Sequence, residues 1–311
     1  MSAAIGVPAE TATAGRRRML GVLMGLGYGA GWGICTVWLG RLLDTYPLHP
    51  TGLMFWRGLI VSSVLLCLLV VRGRRLGDTW GGLRVQRKHL PFLVLFGFVG
   101  ITLNNASWGT SVNLNGVTVA TVMAYSAPVF TVLLSRPLFG EPITRRKAMS
   151  LVMALGGCLL VSQVYDLGSS TLTVFGIAVA LSVGLFQAGR DLLGKKAGRL
   201  YSEMTNLFYA FAFGTVFLGL AQISPDLVPS MPLQGWLELG GMSLGIMLSY
   251  LMYLGALTRL PVSVASILGL SEPVVAALLA YLVLGELLVG LQVLGALLVI
   301  GGVLVLEVRD A

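Results

Sequence analysis

Long apolar segments alternate with short polar connections along most of the chain. A helix needs about 20 consecutive apolar residues to cross the hydrocarbon core of a bilayer. Because backbone amides in lipid have no water to bond, helices are the expected structure for such runs. The pattern therefore predicts an all-α integral membrane protein with ten transmembrane helices. The predicted spans are Met19–Gly40, Thr51–Val71, Leu90–Thr110, Val117–Leu138, Lys147–Gln163, Leu172–Arg190, Met204–Ile223, Trp236–Leu257, Val262–Leu284 and Val289–Leu306.

The composition favours a membrane protein over a water-soluble one. Apolar residues make up 56% of the chain, charged residues only 11%, and the mean hydropathy is +0.87. A soluble domain carries about 25% charged residues, so an aqueous fold of 311 residues could not cover this much apolar surface. The three cysteines lie singly in apolar segments without metal-ligand spacing, and we expect neither a metal nor another cofactor.

Positive charge is concentrated in alternate connections. The net charge is +8, but nearly all of the 21 Lys and Arg residues lie in short loops, so we expect contact with anionic lipid and no nucleic-acid partner. With the N-terminus inside, nearly all of them are cytoplasmic, including Arg190 at the end of span six. Only Arg41 falls outside, and Arg57 falls within span two. This predicts a multi-pass protein of a bacterial plasma membrane with both termini cytoplasmic.

A sequence near the middle of the chain is repeated near its end. Val117–Glu141 aligns with Pro261–Glu286, and the alignment matches Pro128 with Pro273. Five spans precede the connection Asp166–Thr171 and five follow it. An odd number of spans per unit turns the second unit over, which is typical of secondary transporters with inverted repeats. The predicted units are a disordered cytoplasmic N-terminus at 1–18 and inverted five-helix repeats at 19–165 and 172–306.

Several short motifs, taken in order, match a known family. They are the Trp32-Gly33 pair, Arg57, Pro128 with Gly140-Glu141, Glu272-Pro273 with Gly285-Glu286, and a Gly-Gly pair in the last span of each unit. From about residue 20 to 306 the chain resembles the drug/metabolite transporter superfamily, in its branch with two EamA-like domains. The resemblance implies ten helices in inverted five-helix repeats, a central cavity and movement of small metabolites or drugs.

Glu272 is a carboxylate expected deep within a span. It lies about ten residues from the cytoplasmic end of span nine, which is about 15 Å along a helix. An acidic group at that depth costs about 2.5–3.5 kcal/mol, so it should face protein or water rather than lipid. We expect it to carry a proton or bind a substrate amine; the alternative is a structural brace at the Pro273 kink.

Pro128 and Pro273 occupy matched positions in the middle of their spans. Proline removes a backbone hydrogen bond and kinks a helix. Two equivalent kinks would suit paired gates that bend alternately, and we predict a gating role for both residues. A static bend for packing is the alternative.

Other intramembrane polar and aromatic residues are candidates for substrate binding. Asn104 and Trp108 share a face of span three, with Asn105 beside them, and we expect them to line a cavity or to clamp neighbouring helices. Trp32 in span one is a further candidate for the cavity wall. For the remaining candidates the alternative is a simple helix–helix hydrogen bond. They are Tyr125, Gln187, Tyr250 and Tyr253.

Three charged residues are expected nearer the membrane surfaces. Arg57 lies about two turns from the outer end of span two, and we expect its side chain to snorkel to the headgroups. Binding of a substrate carboxylate is the alternative. Glu141 and Glu286 close their spans, and we expect each to cap the following helix.

These features favour a secondary transporter or exporter of a small organic solute such as an amino acid, an amine or a drug. Two questions are left open: whether transport is coupled to protons, and whether the protein is a monomer or a homodimer. A passive channel or a lipid flippase is the alternative. An intramembrane enzyme is disfavoured, because His49 and His89 lie in or near loops and no aspartate falls in the middle of a span.

Overall fold

The computed structural model describes residues 9–46, 49–78, 80–163, 173–221, 231–284 and 290–307. These residues form α-helices joined by short turns, and no β-strand occurs within them. The helices are α1 (Ala9–Thr45), α2 (Pro50–Arg75), α3 (Leu90–Gly97), α4 (Asn104–Ala124), α5 (Ala127–Phe139), α6 (Arg145–Val161), α7 (Val174–Ala197), α8 (Glu203–Ala221), α9 (Leu233–Arg259), α10 (Val262–Gly269), α11 (Glu272–Leu279) and α12 (Gly290–Glu307). Short π-helical turns follow α3 and α11.

The predicted all-α membrane fold is confirmed. Among the described residues, eight helical segments are long and apolar enough to cross a membrane. They correspond to predicted spans one to four and six to nine. The helices at spans five and ten, α6 and α12, are shorter, with 17 and 18 residues. Each predicted span therefore contains described helix, although several spans are divided between two helices.

Several helices extend beyond their predicted limits, and two of these extensions change the picture. Helix α1 begins at Ala9 and so includes residues 9–18, which were expected to be disordered; residues 1–8 lie outside the described part of the chain, as do Asp166–Thr171 and Glu286. Helix α7 continues past Arg190 to Ala197. The assignment of Arg190 to a cytoplasmic loop is therefore wrong, because this residue lies inside the bundle with 5% of its surface exposed.

Spans four and nine are broken at equivalent places. Helix α4 ends one turn before Pro128, and α10 ends one turn before Pro273. At both breaks two successive amides bond to carbonyls three residues back, for example Ser126 to Met123 at 3.1 Å and Ser271 to Leu268 at 3.1 Å. A proline has no N–H and clashes with the preceding turn, which explains why each helix restarts there. The predicted pair of kinks is thus present in both halves of the chain.

The packing of the helices is consistent with the inverted repeat. Helix α1 packs against α9, α10 and α11 (spans eight and nine), and α7 packs against α4 and α5 (spans three and four). Close approach is possible because glycines lie at equivalent contacts: a Cβ at Gly29 would lie 2.1 Å from Ser271 Oγ, and one at Gly184 would lie 2.1 Å from Ser126 Oγ. Small residues allow such contacts between membrane helices.

Candidate functional site

A cavity of about 80 Å³ lies among helices from both halves of the chain. Residues of α1, α2, α4, α7 and α11 form its wall. This volume has room for several water molecules or a small organic group. Many predicted substrate-binding residues line it, namely Trp32, Asn104, Asn105, Trp108, Tyr125, Gln187 and Glu272.

The cavity extends from the middle of the bundle toward the end remote from the basic loops. Its lining includes Gly40 near the end of α1, and Val117, which follows Gly116, the non-helical residue within α4 at which the chain turns from span three to span four. Val117 is 38% exposed. In the opposite direction the lining reaches Tyr28 and Arg190, which are both buried. The cavity therefore approaches one end of the bundle and stops at a floor of buried side chains.

Arg57 lies in the cavity wall and is only 2% exposed. Its Nη2 donates a 2.8 Å hydrogen bond to Asn105 Oδ1, and its guanidinium carbon lies 5.8 Å from the centroid of the Trp32 ring. Neither Arg57 Nε nor Trp32 Nε1 has a hydrogen-bond partner. The expectation that Arg57 snorkels to the headgroups is wrong, because its face of α2 points into the bundle rather than toward lipid.

Glu272 is the first residue of α11, directly after the break in span nine. Its Oε1 accepts a 2.9 Å hydrogen bond from Thr36 Oγ1 on α1. A carboxylate at this position also interacts favourably with the partial positive charge of the helix N-terminus. Glu272 borders the main cavity and a second cavity of about 20 Å³. It is therefore tied to α1 and also faces open space.

The floor of the cavity is built around Arg190 and Asp191, adjacent residues of α7. Arg190 Nη2 lies 3.1 Å from Asp191 Oδ1, and Nη1 donates to the Tyr250 hydroxyl at 2.8 Å. Arg190 also donates to the Tyr28 hydroxyl at 3.1 Å. Asp191 Oδ2 accepts from Ser266 Oγ on α10 at 3.0 Å. We call these five residues and Tyr253 the floor cluster; it connects α1, α7, α9 and α10.

Tyrosine rings fill the space around the buried ion pair. The ring centroids of Tyr28 and Tyr253 are 4.2 Å apart, and the Arg190 guanidinium carbon lies 5.0 Å from the Tyr250 centroid. Aromatic faces attract cations, which adds to the attraction of Asp191 for this arginine. Tyr250 and Tyr253, two of the predicted substrate-binding residues, therefore lie in the floor cluster and not among the residues that line the main cavity.

Sequence reasoning missed the floor cluster, because it ended span six at Arg190 and so left Asp191 outside the bundle, where the structure buries it. Two adjacent charges at Arg190 and Asp191 resemble the end of a span. A signal was nevertheless present, because Gly184, Gln187 and Asp191 fall on one helical face at i, i+3 and i+7. Leu192 then continues the apolar run and is itself buried. These features indicate that the helix extends past the charged pair.

Of the remaining predicted residues, one links two helices and the others line the cavities. Asn104 Nδ2 donates to the Val183 carbonyl at 3.0 Å, so Asn104 links α4 to α7 while it also lines the cavity. Tyr125 and Gln187 border both the main cavity and the smaller one. Pro128 borders the smaller cavity, beside Asp191. The kinked part of span four thus borders the same small cavity as the carboxylates of Asp191 and Glu272.

A second set of contacts closes the basic end of the bundle. The Glu141 carboxylate accepts from the amides of Val262 and Ser263, at 2.7 and 3.2 Å. It caps α10 in the other half of the chain, and the expectation that it caps the following helix is wrong; Thr144 caps that helix instead. Lys195 Nζ donates to carbonyls at the end of α9. These bonds link span four to span nine and span six to span eight at the basic end of the bundle.

Comparison with known proteins identifies the fold and the family. The model of the EamA-like transporter family matches residues 19–163 and 174–308. An uncharacterized transporter of Archaeoglobus fulgidus is 27% identical over 79% of this chain and 94% of its own length. The uncharacterized transporter YdfC of Bacillus subtilis is 27% identical over 82% of this chain and 80% of its own.

A solved crystal structure shares the fold, with a TM-score of 0.78 and 18% identity over 93% of this chain and 98% of that one. The family match covers two successive stretches of the chain and includes most of its residues. The resemblance carried by the proline, Gly-Glu and Trp-Gly motifs is therefore confirmed. The chain is a membrane transporter protein that belongs to the EamA-like transporter family.

Proposed function

We propose that this chain is a secondary transporter that moves a small organic solute across the plasma membrane by alternating access. One observation carries the proposal: the cavity approaches one end of the bundle and stops at the floor cluster. A channel needs a continuous path, whereas a carrier needs a floor that opens after the other end has closed. Because basic loops favour the cytoplasm, we assign the floor to the cytoplasmic side and the termini with it.

The helix breaks before Pro128 and Pro273 supply the hinges in this scheme. Each break leaves a half-helix that can tilt without straining a continuous backbone ladder. Opening toward the cytoplasm would separate α10 from α5 and α7, which breaks the bonds from Ser266 to Asp191 and from Glu141 to the start of α10. Closure of the cavity mouth would accompany this movement, since the two halves have equivalent hinges.

The cavity wall favours a small polar solute such as an amino acid or an amine. It combines indole, amide and hydroxyl groups with the carboxylate of Glu272. An ammonium group could replace Thr36 as the hydrogen-bond donor to Glu272. Because Glu272 lies directly after the break in span nine, this exchange would couple solute binding to movement at that hinge. We therefore assign Glu272 to solute binding and gating.

Reconstituted protein in liposomes provides the test. If the protein is a carrier, liposomes preloaded with an unlabelled solute should take up the same labelled solute faster than empty liposomes. The rate of uptake should also saturate as the external concentration rises. Small amino acids and primary amines are the first probes. Flux that rises linearly with concentration and ignores solute on the far side would instead indicate a channel.

A further inference from the structure

We propose that Arg57, together with Trp32, forms a binding site for the carboxylate of the transported solute. The inference rests on the proposed transport function and specifies its substrate class. It assigns to the solute a carboxylate at one end of the cavity and an ammonium group near Glu272. Small zwitterions satisfy both positions.

Free hydrogen-bond donors mark the carboxylate position. Arg57 Nε and Trp32 Nε1 are buried and lack partners, and both residues line the cavity. The Arg57 guanidinium carbon lies 5.8 Å from the Trp32 ring centroid, so the two donors belong to one region of the wall. Leaving a buried donor unpaired is unfavourable, because it has lost its hydrogen bonds to water and gained none in return. A ligand oxygen in front of these groups would remove that cost.

The charge of Arg57 also lacks compensation within the protein. No described carboxylate lies within ion-pair distance of it; its one hydrogen bond goes to the neutral amide of Asn105. A buried charge without a counter-ion is unfavourable. Guanidinium groups bind carboxylates by paired, charge-assisted hydrogen bonds. A monoanionic carboxylate therefore matches the charge and the donors of this site.

The hydrogen-bond acceptor for the solute's ammonium group lies about one helical turn away. Trp32 and Thr36 are four residues apart on α1, which corresponds to a rise of about 6 Å. Trp32 faces Arg57, whereas Thr36 is bonded to Glu272. Carboxylate and ammonium sites at this separation suit a short amino acid better than a phosphate ester, because a dianion would meet the repulsion of Glu272.

Thermal unfolding of the purified, detergent-solubilised chain tests the site with three matched probes at constant ionic strength and pH 7. Propionate carries only the carboxylate, ethylammonium only the amine, and L-alanine both. Relative to sodium chloride, propionate, ethylammonium and L-alanine should each raise the melting temperature of the wild type. Arg57→Met should lose the propionate effect and retain the ethylammonium effect, and Glu272→Gln should show the reverse.

Two further variants keep the test decisive. Arg41→Met removes an exposed arginine, with 68% of its side chain accessible, and should respond to propionate as the wild type does. Arg57→Lys retains the positive charge without the planar group, and should need at least about 10-fold more propionate for an equal shift. It replaces Arg57→Met if that variant does not fold.

The outcomes separate this inference from the proposed function. A propionate response that is absent in the wild type, or unchanged in the Arg57 variants, overturns the carboxylate site. If counterflow of an amine is observed in that case, the transport function stands alone. Carboxylate binding that depends on Arg57, in a protein without counterflow, would support the site and contradict the transporter mechanism.

Discussion

Two arginines are buried within the described part of the bundle, and they differ in what they contact. Arg190 has an ion pair with Asp191 and hydrogen bonds to two tyrosine hydroxyls. Arg57 has one hydrogen bond, to the neutral amide of Asn105, and a free Nε. Each borders the cavity, but Arg190 is part of its floor and Arg57 is part of its wall.

The difference separates a structural charge from one that is available to a ligand. The contacts of Arg190 and Asp191 together join four helices, so any opening of the floor must break or rearrange them. The contacts of Arg57 leave its Nε without a partner in a residue that lines the cavity. A carrier requires both features, since it must close one end of its path and still offer unsatisfied groups to its solute.

Replacement of Arg190 should have the largest effect on stability. Arg190→Met would leave Asp191 buried without a counter-ion, and we expect the free energy of unfolding to fall by about 3–5 kcal/mol. Urea unfolding in detergent measures this. The double variant with Asp191→Asn should recover part of the loss. A single variant as stable as the wild type would contradict the structural role of the pair.

Replacement of Arg57 should have little effect on stability and a large effect on transport. Arg57→Met gives up one hydrogen bond, about 0.5–1.5 kcal/mol, and also relieves an uncompensated charge, so stability should change by no more than about 1 kcal/mol. Uptake of L-alanine should nevertheless fall at least about 10-fold in liposomes. If the variant transports normally, or is as unstable as Arg190→Met, the proposed distinction between the two arginines is incorrect.

Replacement of Glu272 should impair transport less completely. Glu272→Gln keeps the size of the side chain and an oxygen that can accept from Thr36, but it lacks the charge that holds an ammonium group. We expect uptake of L-alanine to fall several-fold, with propionate binding intact. Glu203→Gln, near Arg259 at 3.8 Å, is the matched control and should transport normally. Equal transport by both variants would argue against a role for Glu272.

The smallest effect is expected at the closure of the basic end. Glu141→Gln weakens a cap on α10 and should cost about 1 kcal/mol. Lys147→Met removes only a partner at 3.7 Å from the same carboxylate, and should cost less. Unfolding midpoints of the two variants, compared with the wild type, test the order. A larger loss for Lys147→Met would show that the cap is not the main contribution of Glu141.

The spans and breaks were predictable from sequence because apolar run length and matched prolines act locally. A run of about 20 apolar residues can satisfy its backbone only as a helix in lipid. Pro128 and Pro273 break their helices whatever packs beside them. The family followed from the same local motifs.

The site was predictable only in part, since its central contacts join distant residues. Arg57 lies at a depth that permits snorkelling, and only the packing of α2 shows that its face points inward. Glu141 caps a helix that begins 121 residues later, and no local pattern reports that pairing. Arg190 and Asp191 were missed because adjacent charges resemble a loop when their partners on α1, α9 and α10 are unknown.

Side-specific labelling of single cysteines tests the central claim most directly. In a chain without its native cysteines, Thr121→Cys reports on the cavity wall and Ser135→Cys on the buried face of α5 beyond the floor. Asp191→Asn weakens the floor, so an impermeant maleimide should label Ser135→Cys faster from the cytoplasmic side and Thr121→Cys more slowly from outside. Faster labelling at both positions would instead reveal a continuous channel and contradict alternating access.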